Sequence, residues 1–498
     1  MYKKLAKEAY NIQILGSIDS LLSWDLETRM PKAAIESRSE QQEFIATLIH
    51  KKETSTKYKK LLSSCIDFSS DKILDPHVSK EQIISLRDWK KNYLKAKKLP
   101  TSFIKTLTKT TSTAFPIWVN SKKKNDFSLF SPILEKIVEL MKKKASLLGA
   151  QEHPYDALLD LYEPNMTVKK LEPLLGSLKT FLSSFVRSWK NAPTPFWLTQ
   201  SFPLEKQKLF SQEILKRLPL DPSRLCIDEA EHPFTSSLHP TDVRITTRFQ
   251  ENYLLGNIFA LLHEGGHALY DMNLPQEYFG TPVGEAISHG IHESQSRLWE
   301  TCIGKSYSFW KYFYPILQQI FPNPFESISL SQFYQDIHQV EPSPIRIEAD
   351  EVTYTLHIIL RFEIEKALIE NSCQVKDIPD LWRTKMQDLL GITPLTDKEG
   401  CLQDVHWASA LFGYFPTYAL GNLYAAQFFA AFQDANPTWK SSIEQGDLTL
   451  LGSWLRENIH AQGKRYTAEE LVEKVTGKPL STKAYESYLE EKYKHFKN

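Results

Sequence analysis

Apolar side chains recur every three or four residues through most of the chain, the spacing that lines one face of a helix. Over 3–24 they fall at Leu5, Ala9, Ile12, Leu15, Ile18, Leu21 and Leu22, which predicts an amphipathic helix ending near Trp24. Pro31 interrupts the pattern, which resumes over 33–50. The same period predicts helices over 80–97, 131–148, 168–190, 204–217, 295–320, 350–370, 420–433 and 467–475, with proline-bearing breaks at 191–195 and 321–324. One short run, 243–249, reads as a strand, because Val, Ile, Thr and Phe cluster there with alternating side chains. No internal repeat and no long linker divides the chain. The expectation is a mainly α protein, a single domain over 1–498 with two lobes and a small β-sheet.

Composition narrows the partners. The 498 residues can bury a large core, and sixty basic residues balance sixty acidic ones, so no overall field favours nucleic acid or an acidic membrane. The lysine runs at 122–124 and 142–144 read as solvated helix faces. Five cysteines (Cys65, Cys226, Cys302, Cys373 and Cys401) are odd in number and never spaced as C-x-x-C, which points to reduced thiols and a cytoplasmic setting. No apolar stretch nears the ~20 residues of a membrane helix, and Asp19 and Asp25 interrupt the nearest signal-like segment.

The chemistry concentrates at 263–267, His-Glu-Gly-Gly-His. The flanking run 254–272 is apolar and proline-free, as a buried helix requires, and positions four apart share a face. His263 and His267 would then offer two imidazoles to one cation, with Glu264 beside them as a base rather than a ligand. Gly265 and Gly266 should together cost that helix about 2 kcal/mol relative to alanine, which implies that another helix or a substrate approaches closely. Tyr270 and Asn273 stand where a metzincin would need Gly and His, which excludes that class. A third ligand must come from Glu277, Glu285, Glu293 or Glu300; Glu293, 26 residues after His267 (293 − 267), leaves room for a returning helix and is preferred. His289, one turn before Glu293, is expected to orient a ligand from outside the coordination sphere, with Glu285 as a further candidate. The fold expectation is accordingly gluzincin-like, with the sheet next to the metal site.

Taken with His-Glu-Ser-Gln at 292–295, this motif resembles the carboxypeptidase Taq family of zinc metallocarboxypeptidases. Three further motifs match in order: Asp-Val-Arg-Ile-Thr at 242–246, Ile-Arg-Ile-Glu-Ala-Asp at 345–350, and Gly-Cys-Leu-Gln-Asp-Val-His-Trp at 400–407. Trp24-Asp25 with Met30-Pro31, Leu158-Leu159-Asp160 with Glu163-Pro164, and Gly413-Tyr-Phe-Pro416 extend the likeness from about residue 20 to about 430. The resemblance implies a cytoplasmic homodimer with a deep groove that releases single carboxyl-terminal residues from peptides with broad specificity. It implies one zinc ion per chain on His263, His267 and Glu293, with cobalt as a substitute and Glu264 as the catalytic carboxylate.

Around that centre, Tyr418 and His406 are expected to stabilise the oxyanion, ahead of Tyr414, which is assigned to substrate contact. A free terminal carboxylate calls for a guanidinium, and Arg346 and Arg244 are the candidates. The acids near Arg346 in sequence, Glu348 and Asp350, offer a structural ion pair instead. Asp242 and Asp404 are expected to brace their motifs or a histidine, and the strand at 243–249 to align peptide by pairing with it. His232 is given a groove-facing or loop-anchoring role. The rivals are a zinc oligopeptidase of the same helical type and a non-catalytic, zinc-stabilised scaffold.

Overall fold

A computed structural model of the chain describes every residue except 151, 190–192, 231, 495, 497 and 498. Helices dominate, and several follow the apolar period within a few residues: Tyr2–Thr28, Ile35–Glu53, Lys80–Lys98, Ser131–Leu148, Leu254–Asn273, Tyr354–Ile369 and Ala468–Thr476. The stretch expected to end at 190 forms Val168–Ser188, and the first part of the break expected at 191–195 lies outside the described residues. The stretch expected at 420 starts earlier, at Pro416, since a first-turn proline lacks only an N–H that the helix does not use. The period also missed Thr101–Lys124, which holds Pro116 and many threonines. There the hydroxyls of Thr106, Thr110 and Thr113 donate back to carbonyls one turn earlier, so β-branched polar residues are accommodated within a helix.

The continuous helix expected over 295–320 is corrected. His289–Arg297 passes into a π-helical turn, Leu298–Ile303, and a separate helix begins at Tyr307. Ser306 caps the new helix, its hydroxyl accepting from Phe309 N–H at 3.1 Å.

The sheet has three strands rather than one: β1 (Leu225–Glu229), β2 (Thr235–His239) and β3 (Asp242–Thr247), in the order β1-β3-β2. β1 runs parallel to β3 and β2 antiparallel to it. β2 reads Thr-Ser-Ser-Leu-His, too polar to signal a strand by pattern. Because β3 is interior, both of its edges are already paired, and peptide cannot add to it as expected from the sequence.

One large apolar core contains Leu262, Leu269, Ile291, Leu360 and Leu423 from the helices described next, and a smaller core gathers Leu5, Tyr58, Leu62, Leu86 and Trp89. The first helix enters the small core with its amino-terminal turns, and further on Ser17 Oγ donates to Leu238 O on β2 at 2.6 Å. No described helix is long and apolar enough to cross a membrane.

Candidate metal centre

Leu254–Asn273 is buried along most of its length, and it carries His263 and His267 with ring centroids 4.9 Å apart. The helix His289–Arg297 crosses it, capped by Ser288, whose hydroxyl accepts from Ile291 N–H at 3.1 Å. The crossing is tight because Gly266 lacks a side chain: a Cβ there would lie 2.6 Å from Gln295 O and 2.7 Å from Ser296 Cα. The close approach inferred from the paired glycines is therefore a helix at Gly266. Gly265 is looser, its Cβ direction meeting Leu218 Cδ1 at 3.1 Å.

This crossing brings Glu293 Oε2 to 3.7 Å from His263 Nε2 and 3.5 Å from His267 Nε2. One donor atom from each residue lies within 4.8 Å of the others. Two ligands at about 2.0–2.2 Å from a tetrahedral cation sit roughly 3.3–3.6 Å apart, so the three residues fit a divalent metal. The far sides of both rings point to the same use. His263 Nδ1 donates to Glu300 Oε2 at 2.8 Å, and Arg297 Nη1 donates to that same oxygen at 2.7 Å. His267 Nδ1 lies 2.6 Å from His292 Nδ1, and His292 Nε2 lies 3.0 Å from Asp271 Oδ1. With protons on both ligand Nδ1 atoms and on His292 Nε2, each contact has a donor and an acceptor, and both ligand Nε2 lone pairs face Glu293.

Electrostatics agree. Burial disfavours a proton on His263, but Glu293 together with Glu300 lifts it to about 9. Burial would raise Glu293 too, yet His263 and His267 hold it below the usual carboxylate range. A site that gathers positive charge onto a histidine in this way suits a cation, which would compete with that proton. Arg297, against the cost of burial, holds Glu300 well below its ordinary value.

Glu264 is buried, and Thr235 Oγ1 on β2 donates to its Oε2 at 2.6 Å, fixing the carboxylate from the sheet side. The helix Pro416–Ala435 closes the opposite side. A Cβ on its Gly421 would meet Glu293 Cγ at 2.4 Å and Cβ at 2.8 Å, so the ligand's stem lies in a notch shaped by a missing side chain.

The remaining expected residues divide into two groups. Tyr414, Tyr418 and His406 lie together: the tyrosine rings are 5.4 Å apart, and His406 Nε2 is 3.3 Å from Tyr418 Oη. Burial drops His406 to about 3 and pushes Tyr414 up to about 12, so all three side chains reach their site uncharged near neutral pH, Tyr418 being raised well above its ordinary value. Arg346 adjoins them, its guanidinium 5.3 Å from the Tyr418 ring centroid, and its Nη1 donates to Tyr354 Oη at 3.0 Å. Tyr354 in turn packs 4.8 Å from the guanidinium of Arg297, which links this group to Glu300 and His263.

Several assignments are corrected. The acid partner of Arg346 is not Glu348 or Asp350 but Asp404, whose Oδ1 accepts from Nε and Nη2 at 3.0 and 2.9 Å. Asp350 instead caps the backbone at Val352 and Thr353. Asp242 pairs with Arg244 through two contacts of 2.9 and 3.0 Å, and that guanidinium stacks 4.8 Å from Trp24. Asp242 and Asp404 are thus arginine counter-ions, and neither hydrogen-bonds a candidate ligand. His289 is exposed at the first turn of its helix, where its ring meets Tyr162 and Tyr414 and makes no hydrogen bond to either ligand histidine or Glu293. Glu285 lies 3.6 Å from Lys464, and His232 is exposed. The groups that hold the ligand rings, Glu300 and His292, are residues whose role was missed. Asp271 follows His267 by four residues, a helical spacing that would have found it; Thr235 and Gly421 give no local signal.

The profile of the carboxypeptidase Taq (M32) metallopeptidases matches residues 4–493. Carboxypeptidase 1 of Bacillus subtilis is 42% identical over 477 residues, covering 95% of this chain and 94% of that protein. Thermostable carboxypeptidase 1 of Thermus thermophilus is 38% identical over 505 residues, with coverage of 99% and 98%. The crystal structure of an M32 carboxypeptidase from Deinococcus radiodurans R1 superposes with a TM-score of 0.94 at 32% identity, covering 100% of this chain and 99% of that one.

Proposed function

Since this chain belongs to the carboxypeptidase Taq (M32) family and is a peptide hydrolase of the metallocarboxypeptidase class, we propose that it removes single residues from the free carboxyl ends of peptides, with broad specificity. In this reading His263, His267 and Glu293 hold one zinc ion per chain, and cobalt can replace it. The observation that carries the reading is the convergence of those three donors beside a buried glutamate already fixed by Thr235. When bound, the metal polarises the scissile carbonyl and activates the attacking water.

Glu264 takes the proton from that water and passes it to the departing amine. Thr235 secures one oxygen of Glu264, so the base meets its proton in a single orientation. Tyr418 donates its hydroxyl proton to the developing oxyanion, and a neutral His406 with its proton on Nε2 orients that hydroxyl. Tyr414 packs against the substrate beside it. Arg346 receives the terminal carboxylate; Arg244 is engaged fork to fork by its own aspartate and supports β3. Backbone pairing with peptide moves from β3 to β2, a sheet edge that also carries Thr235.

The two unequal cores support a two-lobed single domain, and five free thiols suit a cytoplasmic setting. Homodimerisation completes the proposal on the family likeness. The test uses an N-blocked dipeptide acid and its carboxyl-terminal amide, each with and without chelator. Cleavage of the acid alone, lost on chelation and restored by zinc, is expected. Equal cleavage of acid and amide would overturn the exopeptidase reading in favour of an oligopeptidase.

A further inference from the structure

Behind Arg346 stands a second guanidinium that no motif brought forward. Arg361, on the helix Tyr354–Ile369, is fully buried. Its Nε donates to Asp404 Oδ2 at 2.7 Å, and Arg346 occupies the other oxygen of the same carboxylate. Its Nη1 donates to the carbonyl of His357 at 2.8 Å, and Trp382 covers its face at 4.6 Å. Two arginines therefore share one aspartate. Burial of such a cluster normally demands charge balance, yet this one carries a surplus of one positive charge. Lys122 nearby adds a further cation, its ammonium donating to Gln403 O at 2.9 Å, and Tyr354, Tyr418 and His406 are neutral. The one further buried carboxylate that feels Arg361, Glu365 on the same helix, is lifted by burial to about 7 and accepts from Tyr155, Trp407 and Gly413 N–H, with no hydrogen bond to either guanidinium. Burial, with Arg346 opposite, drops Arg361 to about 10.

We infer that Arg361 is a positioning residue for substrate: it takes up half of the Asp404 carboxylate so that Arg346 keeps net positive charge for the terminal carboxylate of the peptide. Without Arg361, Arg346 and Asp404 would form a neutral pair, as Arg244 and Asp242 do, and a carboxylate would gain little by approaching. With it, arrival of the carboxylate completes the charge balance of a buried site. This inference rests on the reading of Arg346 as the carboxylate receptor, and the experiment separates the two.

Arg361→Gln, Arg361→Gln/Asp404→Asn and Arg346→Gln are compared on the same acid and amide substrates, with zinc content and circular dichroism measured in parallel. Arg361→Gln is expected to raise KM for the acid at least about tenfold with a much smaller change in kcat and unchanged zinc content. The double variant restores the surplus charge and is expected to recover most of the lost affinity, even if the single variant folds poorly. An unchanged KM in Arg361→Gln, or a folded double variant whose KM stays high, overturns the role given to Arg361. Arg346→Gln is expected to abolish the preference for acid over amide. If that preference survives, the receptor reading fails, whatever Arg361 does.

Discussion

Gly421→Ala isolates how Glu293, the proposed third ligand, is held. On propensity alone the change should stabilise the helix Pro416–Ala435 by about 1 kcal/mol. The site opposes it. The new Cβ would lie 2.4 Å from Glu293 Cγ, whereas ordinary contact begins at 3.4 Å, so the stem must yield by about 1.0 Å (3.4 − 2.4). The stem has no easy retreat, because Glu293 is buried and Ser296 Oγ donates to its Oε2 at 3.2 Å. Overpacking of this kind costs about 1–3 kcal/mol, so net stability should fall by no more than about 2 kcal/mol. Metal binding is far less forgiving: ligand distances tolerate about 0.2 Å, and the displacement is roughly five times that. Zinc affinity should fall at least about 10- to 100-fold, the range seen when support around a ligand is lost. Competition with a graded chelator series reads the affinity, and urea unfolding of the zinc-free protein reads the stability. Wild-type zinc affinity in a protein with wild-type stability would refute the notch argument.

Three other changes test separate parts of the site. Glu264→Gln should lower kcat by about 10²–10⁴ with zinc content intact; activity within tenfold of wild type would remove Glu264 as the base. Thr235→Ala should lower kcat about tenfold through loss of the hydrogen bond at 2.6 Å, and Thr235→Ser should restore it; equal kcat in all three proteins would show that the carboxylate needs no support from β2. Glu163 is buried under the amino end of the Glu293 helix, accepting from Ser288, Gly290 and Tyr424, and burial lifts it to about 7. A carboxyl raised on folding favours the folded state at low pH, and that contribution disappears as pH climbs from its unfolded value through 7. Glu163→Gln should therefore flatten a loss of about 3 kcal/mol between pH 4.5 and 8; denaturant curves with the same pH slope in both proteins would count against it.

Legibility followed the range of the interactions. Helices with an apolar stripe were readable because each buries that stripe against something, whichever partner it finds. Thr101–Lys124 was not, since Pro116 and a run of β-branched threonines argue against a helix by propensity, and those hydroxyls find their carbonyl acceptors only once the helix has formed. β2 was not, because a polar strand exists only where β3 pairs with it. The break after Ile303 hid inside a run of apolar residues whose period continues on both sides.

At the site, the chain by itself placed two imidazoles and a glutamate together, because one helix turn fixes their spacing, and the length of connection needed to return put Glu293 forward as the candidate third ligand, which the fold brings beside both rings. Tertiary structure alone decided which groups hold those ligands. Thr235, Gly421 and Tyr354 reach the centre from three separate elements, Arg361 comes from the helix that begins at Tyr354, and their contacts depend on how the elements pack and not on sequence distance. Charge balance followed the same rule. Arg346 has acids two and four residues away, yet its partner is Asp404, 58 residues on, because only folding brings that carboxylate between two buried guanidiniums.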